Sequence, residues 1–151
     1  MFKKILVPID GSDHARKALE YALDLAEKYQ ADLEMLNVVP TVPIAPLAYL
    51  QDPMVVRAGW AVPYLGDLRS SNEKMLSETL TNAKKTKPGL NISSKQVEGR
   101  PSNKIVEAAK EGNFDLIVMG SRGLGGIEEF FLGSVSDRVA DSAECPVMIV
   151  K

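Results

Sequence analysis

Two short runs that are apolar almost without interruption, Ile5-Leu6-Val7-Pro8-Ile9 and Phe114 to Met119, constrain this chain more than any other feature. A strand with one face in water alternates polar and apolar residues, so a continuous apolar run marks a strand covered on both faces. Such strands sit in the middle of a parallel sheet layered between helices. Each run stops at a turn signal, Asp10-Gly11-Ser12-Asp13 after the first and Gly120-Ser121-Arg122-Gly123 after the second.

The segments around these runs supply the helices. Ala15, Ala18, Leu19, Ala22, Leu25, Ala26 and Tyr29 recur at helical spacing, with Ser12 or Asp13 available as N-cap. Leu33 to Val39 predicts a second strand, ended by Pro40. Residues 40–66 carry Pro40, Pro43, Pro46, Pro53 and Pro63 among Tyr49, Trp60 and Tyr64, too proline-dense for a long helix, and are expected to form an insertion. Helical spacing resumes at Leu68, Met75, Leu76, Thr79, Leu80 and Ala83 and closes at Pro88-Gly89. Asn91 to Val97 alternates weakly and reads as an edge strand. Pro101 opens another helix, with Ile105, Val106, Ala108 and Ala109 inward and Gly112 as its stop. A helix from about Gly133 to Ser142 leads into a last strand, Pro146 to Val150.

Strands alternating with helices predict an α/β fold: a five-stranded parallel sheet with helices on both faces, joined by right-handed crossovers. If the two most apolar strands, the first and fourth, lie side by side at the centre, the order is 3-2-1-4-5. Ligands in such sheets bind beyond the carboxyl ends of the strands at the point where the order reverses. Asp10-Gly11-Ser12 and the loop from Gly120 to Gly126 meet there.

Composition narrows the function classes. A length of 151 residues fits one domain, 1–151, with the proline-rich insertion at about 40–66. Lys and Arg number 18 against 20 Asp and Glu, so no basic footprint for nucleic acid is present. The single cysteine, Cys145, has no partner for an internal disulfide and reads as a small buried hydrophobe. No apolar run reaches membrane-spanning length, and the N-terminal run is too short for a signal segment, so the expectation is a cytoplasmic protein without membrane contact.

The glycine segment has two readings. One is a flexible strand-to-helix loop. The other is a phosphate cradle, because Gly133-Ser134 begins a helix whose free N–H groups and positive dipole end favour anions, and the Ser134 hydroxyl adds a donor. Arg122 either reaches a phosphate or is solvated. A P-loop is excluded, since neither Gly11 nor Gly126 is followed by Lys, and a dinucleotide fingerprint is excluded because only Gly11 follows the first strand. Asp10 is either a turn-former or a carboxylate facing the crevice toward base, ribose or metal. His14, the only histidine, reads as a solvent-facing first-turn residue, and its sequence neighbours Ser12 and Asp13 make poor triad partners. No Cys/His cluster supports zinc.

The spacing Gly120, two residues, Gly123, nine residues, Gly133-Ser134 resembles the nucleotide-binding motif of universal stress proteins of the ATP-binding type. Lys3-Lys4-Ile5-Leu6-Val7-Pro8-Ile9-Asp10-Gly11-Ser12 looks like that family's opening strand and loop, Leu36-Asn37-Val38-Val39 like its second strand end, and Gly99-Arg100-Pro101 like its third. Asn37 departs from the histidine many members carry. The resemblance covers almost the whole chain and implies the adenine nucleotide α-hydrolase-like fold. It also implies ATP, ADP or AMP in the crevice: adenine among Pro8, Ile9, Val38 and Met119, main-chain groups near Asp10 and Val38 at its edge, and ribose and phosphates along Gly120, Ser121, Arg122, Gly123, Gly133, Ser134 and Val135. Mg2+ or Mn2+ accompanying the phosphates is compatible with it. Family members typically pair as homodimers through the last strand, here Val147 to Val150, an apolar edge that would otherwise invite aggregation.

The resemblance implies a nucleotide-dependent regulator or sensor in stress response, and because no general base is evident, at most slow ATP hydrolysis is expected. Two other classes compete. An adenylyl-transferring α-hydrolase-type enzyme would need a pyrophosphate loop, which Asp10-Gly11-Ser12-Asp13 matches only loosely. A nucleotide-free interaction module would use the proline-rich segment and its aromatic residues to bind an unknown protein partner.

Overall fold

A computed structural model describes residues 1–41, 61–124 and 132–151, the first five of the middle stretch as backbone only. Five strands, β1 (Lys4–Pro8), β2 (Asp32–Val39), β3 (Ile92–Glu98), β4 (Leu116–Gly120) and β5 (Val147–Val150), alternate with four helices. These are α1 (Asp13–Tyr29), α2 (Ala61–Thr86), α3 (Pro101–Glu111) and α4 (Ser134–Ser142). All neighbouring strands are parallel, in the order β3-β2-β1-β4-β5. This is the sheet expected from the two apolar runs, and burial shows why they lie inside it. Every residue of β4 is buried, as are Ile5, Leu6 and Val7 of β1, whereas the outer strands β3 and β5 keep residues exposed.

The central strands feed two cores in alternation. Ile5, Val7, Leu33, Met35, Leu116 and Val118 pack with Ala18, Ala22 and Ala26 of α1 and Leu76 and Ala83 of α2. Leu6, Leu36, Ile117 and Met119 point the other way, onto Ile105 and Ala109 of α3 and Val139 of α4. Four of the six buried α1 residues, Ala15, Ala18, Ala22 and Ala26, are alanines, so the helix lies close to the sheet. Ser12 caps α1, its hydroxyl accepting from Ala15 N–H at 3.1 Å. At the amino ends of the strands, the Asp115 carboxylate accepts from the N–H groups of Lys3 and Lys4 at 2.7 and 2.9 Å, tying the start of β1 to β4.

One expectation needs correction. α2 starts at Ala61, not at Leu68, and residues 61–66 of the expected insertion are helical. Pro63 falls in the first turn, where a missing N–H costs nothing because the first four N–H groups have no intrahelical acceptor. Residues 42–60, with Tyr49 and Trp60, lie outside the described residues, as does Tyr64's side chain. No helix among the described residues is long and apolar enough to cross a membrane.

Candidate functional site

β1 and β4 are adjacent, but their connections leave toward opposite sides of the sheet, so a crevice opens beyond their carboxyl ends. A cavity of about 470 Å³ lies there, a size that takes a nucleotide-sized ligand. Pro8, Ile9 and Asp10 form its floor with Asn37 and Val38. Met119, Gly120, Arg122 and Gly123 form one flank, leading to Gly133, Ser134 and Val135 at the start of α4. Residues as far apart in sequence as Pro8 and Val135 are thereby gathered around one space.

Ser121 is the exception among the residues singled out from the sequence. It is 6% exposed and acts as a joint beside the cavity. Its N–H donates to Val150 O at 2.8 Å, holding the end of β5, and its carbonyl accepts from Gly133 N–H at 2.8 Å. The Ser136 hydroxyl lies 2.9 Å from both Ser121 O and Gly133 O and donates to one at a time. Gly133 is therefore not the anion donor its position suggested, since its N–H is used. The donors α4 offers are the N–H groups of Ser134, Val135 and Ser136, which helix geometry leaves without intrahelical acceptors.

Each glycine of the motif answers to a different neighbour. A Cβ on Gly120 would stand 2.7–2.9 Å from His14, including its main-chain carbon and oxygen, so this glycine admits the first turn of α1. His14 is accordingly half-buried rather than solvent-facing, its Nδ1 3.5 Å from the Ser121 hydroxyl. A Cβ on Gly123 would stand 2.6 Å from Asp10 Oδ2. Asp10 combines both roles open to it in the sequence: Oδ1 accepts from Ser12 N–H at 2.9 Å, shaping the turn, while the side chain lines the cavity against the glycine loop.

Two polar residues of this region have no signal in the sequence. Asn37, 1% exposed, donates through Nδ2 to Ile9 O at 2.8 Å and accepts at Oδ1 from Gln96 Nε2 at 3.2 Å, fastening the exit of β1 to β3. From α2, Leu68 and Asn72 reach the cavity wall one turn apart. Ladder alternation fixes one more group. Asp32 N–H bonds Lys3 O and Leu36 O receives Ile9 N–H, while Leu33 N–H bonds Asn91 O and Val39 O receives Gly99 N–H. Even-numbered residues of β2 thus face β1, and Val38 directs its N–H and C=O past the end of β1 into the cavity region.

This constellation has known counterparts. The family model described as the universal stress protein family matches residues 1–151. The chain belongs to the universal stress protein family. It is 36% identical to universal stress protein YxiE of Bacillus subtilis over the full length of both chains. Among solved structures, universal stress protein UspA from Lactobacillus plantarum superposes with a TM-score of 0.82 at 27% identity, covering 99% of this chain and 98% of that one. A universal stress protein in complex with cAMP superposes with a TM-score of 0.66 at 27% identity, covering 99% and 97%.

Proposed function

We propose that this universal stress protein holds an adenine nucleotide in the cavity at the β1/β4 crevice and acts through the bound state as a regulator or sensor. The observation that carries the reading is the pairing of an apolar floor with three N–H groups of α4 directed at one end of a nucleotide-sized cavity. A related chain of the same fold holds cAMP, which supports the class of ligand.

Charge orients the molecule. Asp10 is the one acidic residue on the described wall, and it would repel phosphate. Phosphates then lie at Ser134 and Val135 with Gly133 beneath and Arg122 beside them, and ribose hydroxyls donate to Asp10 near Gly120 and Gly123. The base rests among Pro8, Ile9, Val38 and Met119, where the main chain of Val38 offers a fixed donor and acceptor to its edge. Among the described residues no three His, Cys, Asp or Glu side chains group to hold a metal. Mg2+ or Mn2+ would be bound chiefly by the phosphates and water, with Asp10 as the available carboxylate.

His14 is turned to Ser121 rather than lining the cavity, and the Asp10 carboxylate is engaged by the turn, so the described wall lacks a group poised to activate water. Holding is favoured over turnover. The domain, 1–151, would act as a homodimer joined through Val147 to Val150. Mass spectrometry of the small molecules released on denaturing the purified protein tests the reading: ATP, ADP or AMP at near-stoichiometric amounts is expected, and a protein free of nucleotide that also ignores added ATP contradicts it.

A further inference from the structure

Asn72 stands in the interior of the 26-residue helix α2, half-buried on the cavity wall. Asparagine is a poor helix former, because its amide competes for nearby main-chain groups. Such a residue is expected to return something through its side chain, yet among the described residues no hydrogen-bonding partner reaches its amide. Leu68, one turn earlier, faces the same cavity, so α2 presents an apolar and a polar contact side by side.

The position of this turn is fixed by its neighbours. Gln96 Nε2 lies 3.4 Å from Arg69 O, placing the turn over the Asn37 and Gln96 pair, and Met75 packs on Gly11. Asn72 therefore stands over the exit of β1, across the strand ends from the α4 N-terminus. Apart from the main chain of Val38, the polar groups at the exit of β1 are engaged or missing: Pro8 has no N–H, Ile9 N–H donates to Leu36 O, and Ile9 O accepts from Asn37.

We propose that Asn72 is a binding residue for the base, pairing its amide with a polar edge of the purine while Leu68 covers the ring. This rests on the nucleotide reading above. No protein group fixes which way the amide points, so it offers its donor and acceptor in either order. It strengthens binding of adenine and guanine alike, and the choice between them falls to the fixed N–H and C=O of Val38.

Asn72→Ala and Asn72→Asp test this, with ATP and GTP affinities by calorimetry and the ligand-free melting midpoint for each protein. Asn72→Ala is expected to bind ATP and GTP each about tenfold more weakly, while its ligand-free midpoint stays or rises by about 1–2 °C because alanine suits the helix better. Asn72→Asp, which loses the donor, is expected to bind both more weakly still. Affinities within twofold of the parent protein in both variants overturn the assignment to Asn72, as does a change confined to one of the two nucleotides. A parent protein that binds neither nucleotide overturns the nucleotide reading itself.

Discussion

Gly120 and Gly123 belong to one motif with only two residues between them, yet substitution should separate them. The Cβ of Gly120→Ala meets the main chain of His14, which cannot swing away, so overpacking should cost about 1–3 kcal/mol in urea unfolding. The Cβ of Gly123→Ala meets only the end of the Asp10 side chain. That carboxylate turns aside at a cost expected to stay below about 1 kcal/mol, and the loss should appear in ATP affinity instead. Equal losses of stability in the two variants would contradict this division. At Asn37, replacement by Ala leaves Ile9 O and Gln96 without their buried partner and should cost about 1–3 kcal/mol, read from the same urea midpoints. The sequence displayed the glycine spacing but not what each glycine admits, because the Cβ clash depends on a helix more than a hundred residues away. The half-buried position of His14 has the same origin: its environment is made by Gly120, and nothing local to residue 14 announces it. Asn37 and Asn72 were equally silent, since an isolated amide in a strand or helix carries no periodic signal.

The elements were the most legible level, because hydrophobic periodicity reports directly on which faces are covered. β1 and β4 were recognisable as central strands from unbroken apolar runs, and α1 from its alanine and leucine stripe over a serine cap. The start of α2 is not legible in this way, because a proline reads as a helix breaker in sequence and only its place in the first turn makes Pro63 harmless. One contact between elements predicts a pH dependence. Two main-chain N–H groups, from Lys3 and then Lys4, hold the Asp115 carboxyl below its ordinary value of 3.8. Its folded pKa thus lies below the unfolded one, so the stabilisation is fully present above the unfolded value and is lost as pH falls through the folded one. Unfolding midpoints of the parent protein should drop between pH 5 and 3, roughly across that carboxylate range. Asp115→Asn should be less stable at pH 7 and show a shallower drop. Parallel pH curves for the two proteins would refute the role given to this clamp.

At the scale of the whole molecule, the strand order placed the crevice before any side chain was located, and the cavity lies where that order reverses. The outer edge of the sheet bears on assembly. Met148 is 37% exposed on β5, with Val147 and Ile149 only partly covered, and an apolar edge strand of this kind seeks a partner. If two copies pair there, sedimentation should give a dimer for the parent protein and a monomer for Met148→Lys; a monomeric parent at tens of micromolar, or about that concentration of variant still dimeric, counts against this edge. The claim on which most else depends is that the crevice holds an adenine nucleotide. Thermal unfolding of the nucleotide-stripped protein with rising ATP addresses it directly. At about a hundredfold excess over the dissociation constant, binding adds about 2.7 kcal/mol, or roughly 5–10 °C for a chain of this size. A midpoint that climbs with ATP concentration supports the account, and one that stays fixed with ATP, ADP and AMP alike contradicts it.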